Sequence, residues 1–82
     1  MTELKHRIID YWLELYQSRR WPFVQRIRII NALKENNENI NNALRELWKE
    51  KKIIFSKGVN DALIVYVGDQ EILAEINDLL NQ

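Results

Sequence analysis

The segment Glu38-Asn-Ile-Asn-Asn-Ala-Leu-Arg-Glu-Leu-Trp-Lys49 decides which fold the chain is predicted to adopt. Its apolar residues recur with helical spacing, and at about 100° per residue they occupy a stripe roughly 140° wide. They are Ile40, Ala43, Leu44, Leu47 and Trp48. This spacing predicts an amphipathic helix over residues 37–52, with Trp48 on its buried side. The polar side chains on the opposite side are Glu38, Asn42, Arg45 and Lys49.

A shorter helix is predicted just before this one, over residues 25–34. Its inward-facing residues are expected to be Ile27, Ile30 and Leu33. A polar break follows, in which Asn36 or Asn37 is suited to cap the next helix. Helix, short turn and helix is the helix-turn-helix arrangement.

Two β-branched and aromatic runs, residues 53–57 and 62–67, follow the long helix. Residues 58–61 between them include glycine, asparagine and aspartate, which tolerate the backbone angles of tight turns. Residues 53–67 are therefore predicted to form a hairpin directly after the helix-turn-helix.

Both ends of the chain are predicted to be helical, over residues 2–19 and 69–80, and Asp69 is suited to cap the second of these. Pro22 ends the first helix because the residue before a proline avoids the helical conformation. Residues 22–24 are expected to form a short strand that pairs with the hairpin. The predicted order is α–(short β)–α–α–β–β–α, a mainly helical α+β fold in one domain spanning residues 1–82.

The first helix has apolar residues around roughly 200° of its circumference, whereas packing on one side needs a stripe of about 100°. Two explanations are open. The helix is either enclosed by other elements of its own domain, or it contributes to a homodimer interface. The predicted interface residues are Ile9, Leu13 and Tyr16, with Leu73 and Leu80 from the amphipathic last helix.

Composition limits the compartments and functions that the chain can serve. The chain has 82 residues and a net charge of zero. Because it contains no cysteine, disulfides and cysteine-ligated metals are excluded. The longest apolar run, Ala62–Val67, is far shorter than the roughly 20 residues that span a membrane. The N-terminus lacks the basic start and apolar block of a signal peptide. These features predict a soluble, cytoplasmic protein that does not contact a membrane.

The neutral total conceals an uneven distribution of charge. Residues 1–57 contain all twelve Lys and Arg with seven acidic residues, whereas residues 58–82 contain five acidic residues and no base. This asymmetry predicts a basic working face and an acidic end.

Catalysis and metal binding find no support in the residue types. The only histidine is His6, on the polar side of the first helix, and no glycine-rich phosphate loop or metal-ligand cluster occurs in the sequence. The chain is therefore expected not to be an enzyme and to need no metal and no cofactor.

The outer side of the predicted 37–52 helix is the best candidate for a binding site. The major groove of double-stranded DNA admits an α-helix, and there asparagine pairs with adenine and arginine with guanine. Asn42, Arg45 and Lys49 lie at positions i, i+3 and i+7, so they project to one side. Bases would be met by Asn39, Asn42 and Arg45, phosphates by Arg26, Lys49 and Lys57, and Asn41 flanks this row.

The same surface also fits a protein-binding or an ordinary solvated face. Glu38, Glu46 and Glu50 in the same helix, with a net charge of zero, favour an adaptor or assembly subunit that binds a protein partner. An exposed row of aromatic residues would instead favour single-stranded nucleic acid. The aromatic residues here lie on faces predicted to be packed, so a structural role is expected for them.

The segment Ile40-Asn-Asn-Ala-Leu-Arg-Glu-Leu-Trp-Lys-Glu-Lys-Lys-Ile-Ile54 resembles the recognition helix and first wing strand of the winged helix-turn-helix superfamily. The resemblance covers residues 21–67, and the chain has Lys52 where that pattern commonly has glycine. It implies a small transcriptional regulator that binds DNA, commonly as a homodimer on a two-fold site. The first and last helices would then form the dimer interface.

Overall fold

A computed structural model describes residues 2–81, which form four helices and three strands in the predicted order. The elements are α1 (Thr2–Arg19), β1 (Val24–Gln25), α2 (Arg26–Leu33), α3 (Asn37–Lys49), β2 (Ile53–Lys57), β3 (Ala62–Tyr66) and α4 (Gln70–Leu80). The fold is mainly helical α+β, as expected. The largest difference in bounds is at the end of α3, which stops at Lys49 rather than at residue 52.

The three strands form one antiparallel sheet in the order β1-β3-β2. In this sheet Ile64 of the central strand lies between Val24 of β1 and Phe55 of β2. The predicted short strand does pair with the hairpin, and its partner is β3, but it comprises Val24–Gln25 rather than residues 22–24. Strand β2 is left at an edge of the sheet, next to α3.

Trp12 occupies the centre of the core, between α1 and the sheet. It is 1% exposed, its ring stacks on Tyr16 with 5.2 Å between centroids, and its Nε1 donates a 3.1 Å hydrogen bond to the carbonyl oxygen of Ile64. The other buried residues come from all four helices and all three strands, and include Ile8, Val24, Ile29, Ile40, Leu44, Leu47, Ile53 and Ile76.

The wide apolar surface of α1 is explained largely by its own domain. Tyr16, predicted to be a dimer contact, is only 2% exposed and is therefore a core residue. Ile9 and Leu13 are partly buried beside the core and keep some accessible surface. The α1 face that carries Trp12 and Tyr16 is buried within the domain, so Tyr16 has no surface left for a dimer contact.

Two helix starts have the predicted caps. The side chain of Asn36 accepts a 2.8 Å hydrogen bond from the backbone N–H of Asn39 at the start of α3. The side chain of Asp69 accepts hydrogen bonds from the N–H groups of Glu71 and Ile72 at the start of α4. In each case the cap satisfies backbone donors that have no partner within the helix.

The end of α3 has a left-handed residue without glycine. Lys51 has a φ of 61°. Its N–H donates to the oxygen of Trp48, and the N–H of Lys52 donates to the oxygen of Leu47, each at 3.0 Å. This pair of bonds is the Schellman motif, whose left-handed position usually holds glycine. The position that favours glycine is thus Lys51, not Lys52 as the family resemblance indicated.

Two predictions of burial are wrong. Trp48 is 53% exposed, although it belongs to the apolar stripe of α3. The four buried residues of that stripe span about 100°, and Trp48 lies at its edge, about 40° beyond Leu44. In α2 the buried residue is Ile29, whereas Ile27 is 42% exposed because it lies about 120° around the helix from Leu33.

Candidate nucleic-acid interface

The outer side of α3 presents cationic side chains to solvent. Arg45 and Lys49 are exposed, and Asn42, three residues before Arg45 on the same side, is half-buried. None of the ion pairs within residues 2–81 includes Arg45, Lys49 or Lys57. These cations therefore remain available to an anionic ligand.

The side chains of Glu46 in α3 and of Glu50, directly after it, are directed at α1 rather than at this surface. Lys5 Nζ donates a 2.6 Å hydrogen bond to Glu50 Oε2 and lies 3.8 Å from Glu46 Oε1. The hydrogen bond raises the pKa of Lys5 and lowers the pKa of Glu50. Glu46 and Glu50 thus lie toward the α1 side of the helix. Glu38 is the carboxylate of α3 that shares the outer side with Arg45.

Arg26, predicted to contact phosphate, is held inside the fold. Its Nε lies 3.1 Å from Asp61 Oδ1, and its Nη1 donates to the amide oxygens of Asn37 at 2.7 Å and Asn41 at 3.3 Å. The guanidinium therefore joins the turn of the hairpin to the first turns of α3. Arg26 and Asn41 position the helix, and neither side chain is free as the prediction assumed.

Asp61 is the second half of this connection, and the sequence indicated only its role in the turn. Its carboxylate accepts hydrogen bonds from the N–H groups of Ile27 at 2.6 Å and Ala62 at 2.9 Å, in addition to Arg26. Burial opposes ionisation, but the two N–H groups and the Arg26 guanidinium outweigh it and lower the pKa of Asp61. The Arg26–Asp61 pair is 35 residues apart in sequence, so no local spacing could have indicated it.

Asn39 also lies away from the exposed cations. Its Nδ2 donates a 3.0 Å hydrogen bond to Glu35 Oε1 in the turn between α2 and α3. Of the predicted base-contacting residues, Asn42 and Arg45 share the outer side of α3 with Lys49, and Asn39 does not. Lys57 is exposed at the end of β2, on the hairpin rather than on the helix.

A cleft of about 420 Å³ lies between α3 and β2. It is lined by Arg26, Asn41, Leu44, Arg45, Trp48, Lys49 and Phe55. Trp48 is 53% and Phe55 43% exposed, so the expectation that these aromatic residues are packed is wrong. The cause is the sheet order, which puts Phe55 on an edge strand. We refer to these seven residues as the aromatic cleft.

A second surface is formed where α4 meets the end of α1. Tyr16 Oη donates a 2.9 Å hydrogen bond to Glu75 Oε2, and Arg20 Nη1 lies 3.6 Å from the same oxygen. Only Ile76 of the described α4 residues is buried. Leu73 is half-buried and Leu80 is 57% exposed, so both retain the surface that a dimer contact needs.

Residues 2–81 contain no group of three or more His, Cys, Asp or Glu placed to hold a metal ion. None of the described helices is both long and apolar enough to cross a membrane.

Comparison of the chain with protein-family models, with curated proteins and with solved structures found no match.

Proposed function

We propose that the chain is a winged-helix domain that binds double-stranded DNA and acts as a small transcriptional regulator. The order of helices and strands, the polar turn between α2 and α3, and the antiparallel sheet β1-β3-β2 support the winged-helix assignment. In this arrangement α3 is the helix that enters the major groove. The β2–β3 hairpin is the wing.

The observation that carries the proposal is the sorting of charge on α3. Glu46 and Glu50 pair with Lys5 of α1, while Arg45 and Lys49 are exposed without an ion pair in the described chain. The net charge of zero therefore does not describe the outer side of α3. Salt bridges within the protein neutralise acidic groups that would otherwise repel phosphates.

The proposed contacts are fewer than the sequence indicated. Arg45 and Asn42 meet base edges, Lys49 meets a phosphate, and Lys57 meets a phosphate from the wing. Arg26, Asn39 and Asn41 hold α3 and the wing in position through their hydrogen bonds.

The decisive experiment selects bound sequences from random duplex DNA at two salt concentrations. The proposal expects a short enriched sequence, and binding that weakens as salt rises because bound phosphates release counterions. Failure to enrich any sequence, together with no duplex binding in low salt, would reject it. The control in the binding assays is Phe23→Leu, which changes an exposed aromatic residue before β1 and should leave duplex binding unchanged.

A homodimer through α1 and α4 accompanies this proposal. Ile9, Leu13, Leu73 and Leu80 would form the interface and set two α3 helices about one duplex turn apart. The expected enriched sequence is then a palindrome, and the native mass is twice that of the chain. Leu80→Asp should give a folded monomer, and a wild-type chain that is already a monomer contradicts this part of the proposal.

A second function, protein binding without DNA, is favoured by the apolar surface beside α3. Trp48, Ile54 and Phe55 are each more than 40% exposed, and large aromatic residues are common anchors at protein interfaces. An adaptor of this kind would form a stable complex with a partner protein and would leave duplex DNA unretarded. The duplex selection above separates the two functions.

A further inference from the structure

The aromatic cleft combines two exposed rings with cations. Trp48 and Phe55 supply the rings, and Arg45 and Lys49 are exposed cations beside them. Leu44, only 1% exposed, forms the apolar floor. The cleft lining drawn from residues 2–81 includes no carboxylate. A ligand that fits this lining carries flat apolar groups and negative charges close together.

An intact duplex cannot use both features of this cleft. In stacked base pairs the faces of the bases are covered by their neighbours, and only their edges are open in the grooves. A tryptophan or phenylalanine ring gains most from a base when it stacks on the face of that base. The rings therefore favour a strand whose bases are unstacked.

We propose that the aromatic cleft binds single-stranded nucleic acid. Bases stack on Trp48 and Phe55, and the flanking phosphates lie against Arg45 and Lys49. This inference deepens the proposed function, because it uses the same side of α3 and adds an open strand to its ligands. Binding of this kind tolerates many sequences, since every base has a face on which a ring can stack.

An acidic peptide is the competing occupant, and the lining argues against it. Of its cationic residues, Arg26 is paired with Asp61, whereas Arg45 and Lys49 are exposed beside the two aromatic rings. Two exposed cations next to two rings match the phosphates and bases of a strand. A groove that takes the apolar face of a peptide helix is hydrophobic and does not need exposed cations beside its rings.

The test measures fluorescence anisotropy of a labelled oligothymidylate of about twelve nucleotides, a length within the range bound by single-strand proteins. Trp48→Leu keeps an apolar side chain but removes the stacking ring, and affinity should fall at least about fivefold. Phe55→Leu should also lower the affinity for the oligothymidylate. Trp48→Phe should recover part of the loss, and Phe23→Leu, an exposed aromatic residue outside the cleft, should leave affinity unchanged.

Two further ligands make the result interpretable. One is the duplex formed by annealing the same oligothymidylate to oligoadenylate, and the other is a labelled peptide with the acidic, leucine-rich sequence of residues 69–81. Circular dichroism of each variant establishes that it is folded. Binding of the peptide in preference to the single strand, with loss in Trp48→Leu, would overturn the inference in favour of a protein partner.

The single-strand inference and the duplex proposal can fail separately. If duplex DNA binds, depends on Arg45 and is indifferent to Trp48→Leu, the duplex proposal stands and the single-strand inference is rejected. If the single strand binds through Trp48 and no duplex is bound, the inference stands and the duplex proposal is rejected. Equal binding of the single strand by wild type, Trp48→Leu and Phe55→Leu also rejects the inference.

Discussion

Trp12 and Trp48 are the same residue type on two amphipathic helices, and they have opposite environments. Trp12 is 1% exposed, stacked on Tyr16 and hydrogen-bonded to Ile64. Trp48 is 53% exposed and lines an open cleft with Phe55. The difference follows from the sheet, because Ile64 belongs to the central strand β3 whereas Phe55 belongs to the edge strand β2.

The comparison separates two uses of an aromatic side chain. A ring over the centre of a sheet is surrounded by its own domain and stabilises it. A ring beside an edge strand is left half-covered, and its remaining apolar surface is available to a ligand. Helical spacing places both rings on apolar sides and puts Trp48 at the edge of its stripe, but it does not show which strand lies beside each ring.

The largest expected effect tests this contrast directly. Trp12→Ala should lower the free energy of unfolding by about 3–5 kcal/mol, because it leaves a cavity and removes the donor to Ile64. Trp48→Ala should lower it by only about 1 kcal/mol, since about half of the ring is already in water. Urea unfolding followed by circular dichroism measures both. Similar losses in the two variants would mean that Trp48 is packed as tightly as Trp12.

The next effect concerns the connection between the β2–β3 hairpin and α3. Asp61→Asn should lower the free energy of unfolding by about 1–3 kcal/mol, because the carboxylate accepts hydrogen bonds from Ile27 and Ala62 and pairs with Arg26. Asp78→Asn, on exposed α4, is the matched control and should have little effect. If both variants are as stable as wild type, the Asp61 connection does not stabilise the fold.

The same residue should make stability depend on pH. The pKa of Asp61 is lower in the folded protein than its usual value of 3.8. Its contribution is therefore complete above about pH 5 and is lost as the pH falls through the folded pKa. Between about pH 7 and pH 3, Asp61→Asn should lose less unfolding free energy than wild type does. An identical loss in the two proteins would exclude Asp61 as a cause.

A third effect compares the outer side of α3 with the β2–β3 hairpin. Arg45→Ala should weaken binding to a selected duplex by about 1–3 kcal/mol and relax the base preference at one position. Lys57→Ala should weaken binding about equally on all sequences. It should also reduce the slope of log affinity against log salt concentration by roughly 1, the change expected for one lost phosphate contact. Binding isotherms at several salt concentrations measure both. An equal loss on specific and random duplexes for Arg45→Ala would exclude base contact by that residue.

The smallest effect lies at the end of α3, just beyond Trp48. Lys51→Gly should raise the free energy of unfolding by up to about 1 kcal/mol, because glycine adopts the left-handed conformation of this position without strain. Lys52→Gly is the control and should not stabilise, since its φ is not positive. Thermal unfolding of both variants decides the case, and stabilisation by Lys52→Gly alone would contradict the assigned helix end.

Local chemistry made part of this molecule predictable. Asp69 was identified as a cap, and Asn36 as one of two candidates, because a cap acts on backbone groups two or three residues away. The order of the elements was predictable for a similar reason, since helical and alternating spacing are properties of short segments. The candidate face of α3 was predicted only partly, because spacing gives the side of a helix but not the partners of each side chain.

The long-range pairs were beyond such prediction. Lys5 and Glu50 are 45 residues apart, and Trp12 and Ile64 are 52 apart. Lys5 removes two carboxylates from the candidate surface, and Arg26 is withdrawn from it by Asp61. Both changes alter the charge available to a ligand, and neither leaves a signal in local spacing.

The sequence by itself determined where helices, strands and caps occur, because those choices depend on neighbours a few residues away. Only the tertiary structure decided which apolar and charged side chains remain open on α3. Burial of Trp48 depended on which strand lies beside it, and β2 became an edge strand when β1 paired with β3. Exposure is a property of the whole packed chain, so the composition of the aromatic cleft emerged only when α3 and β2 were set side by side.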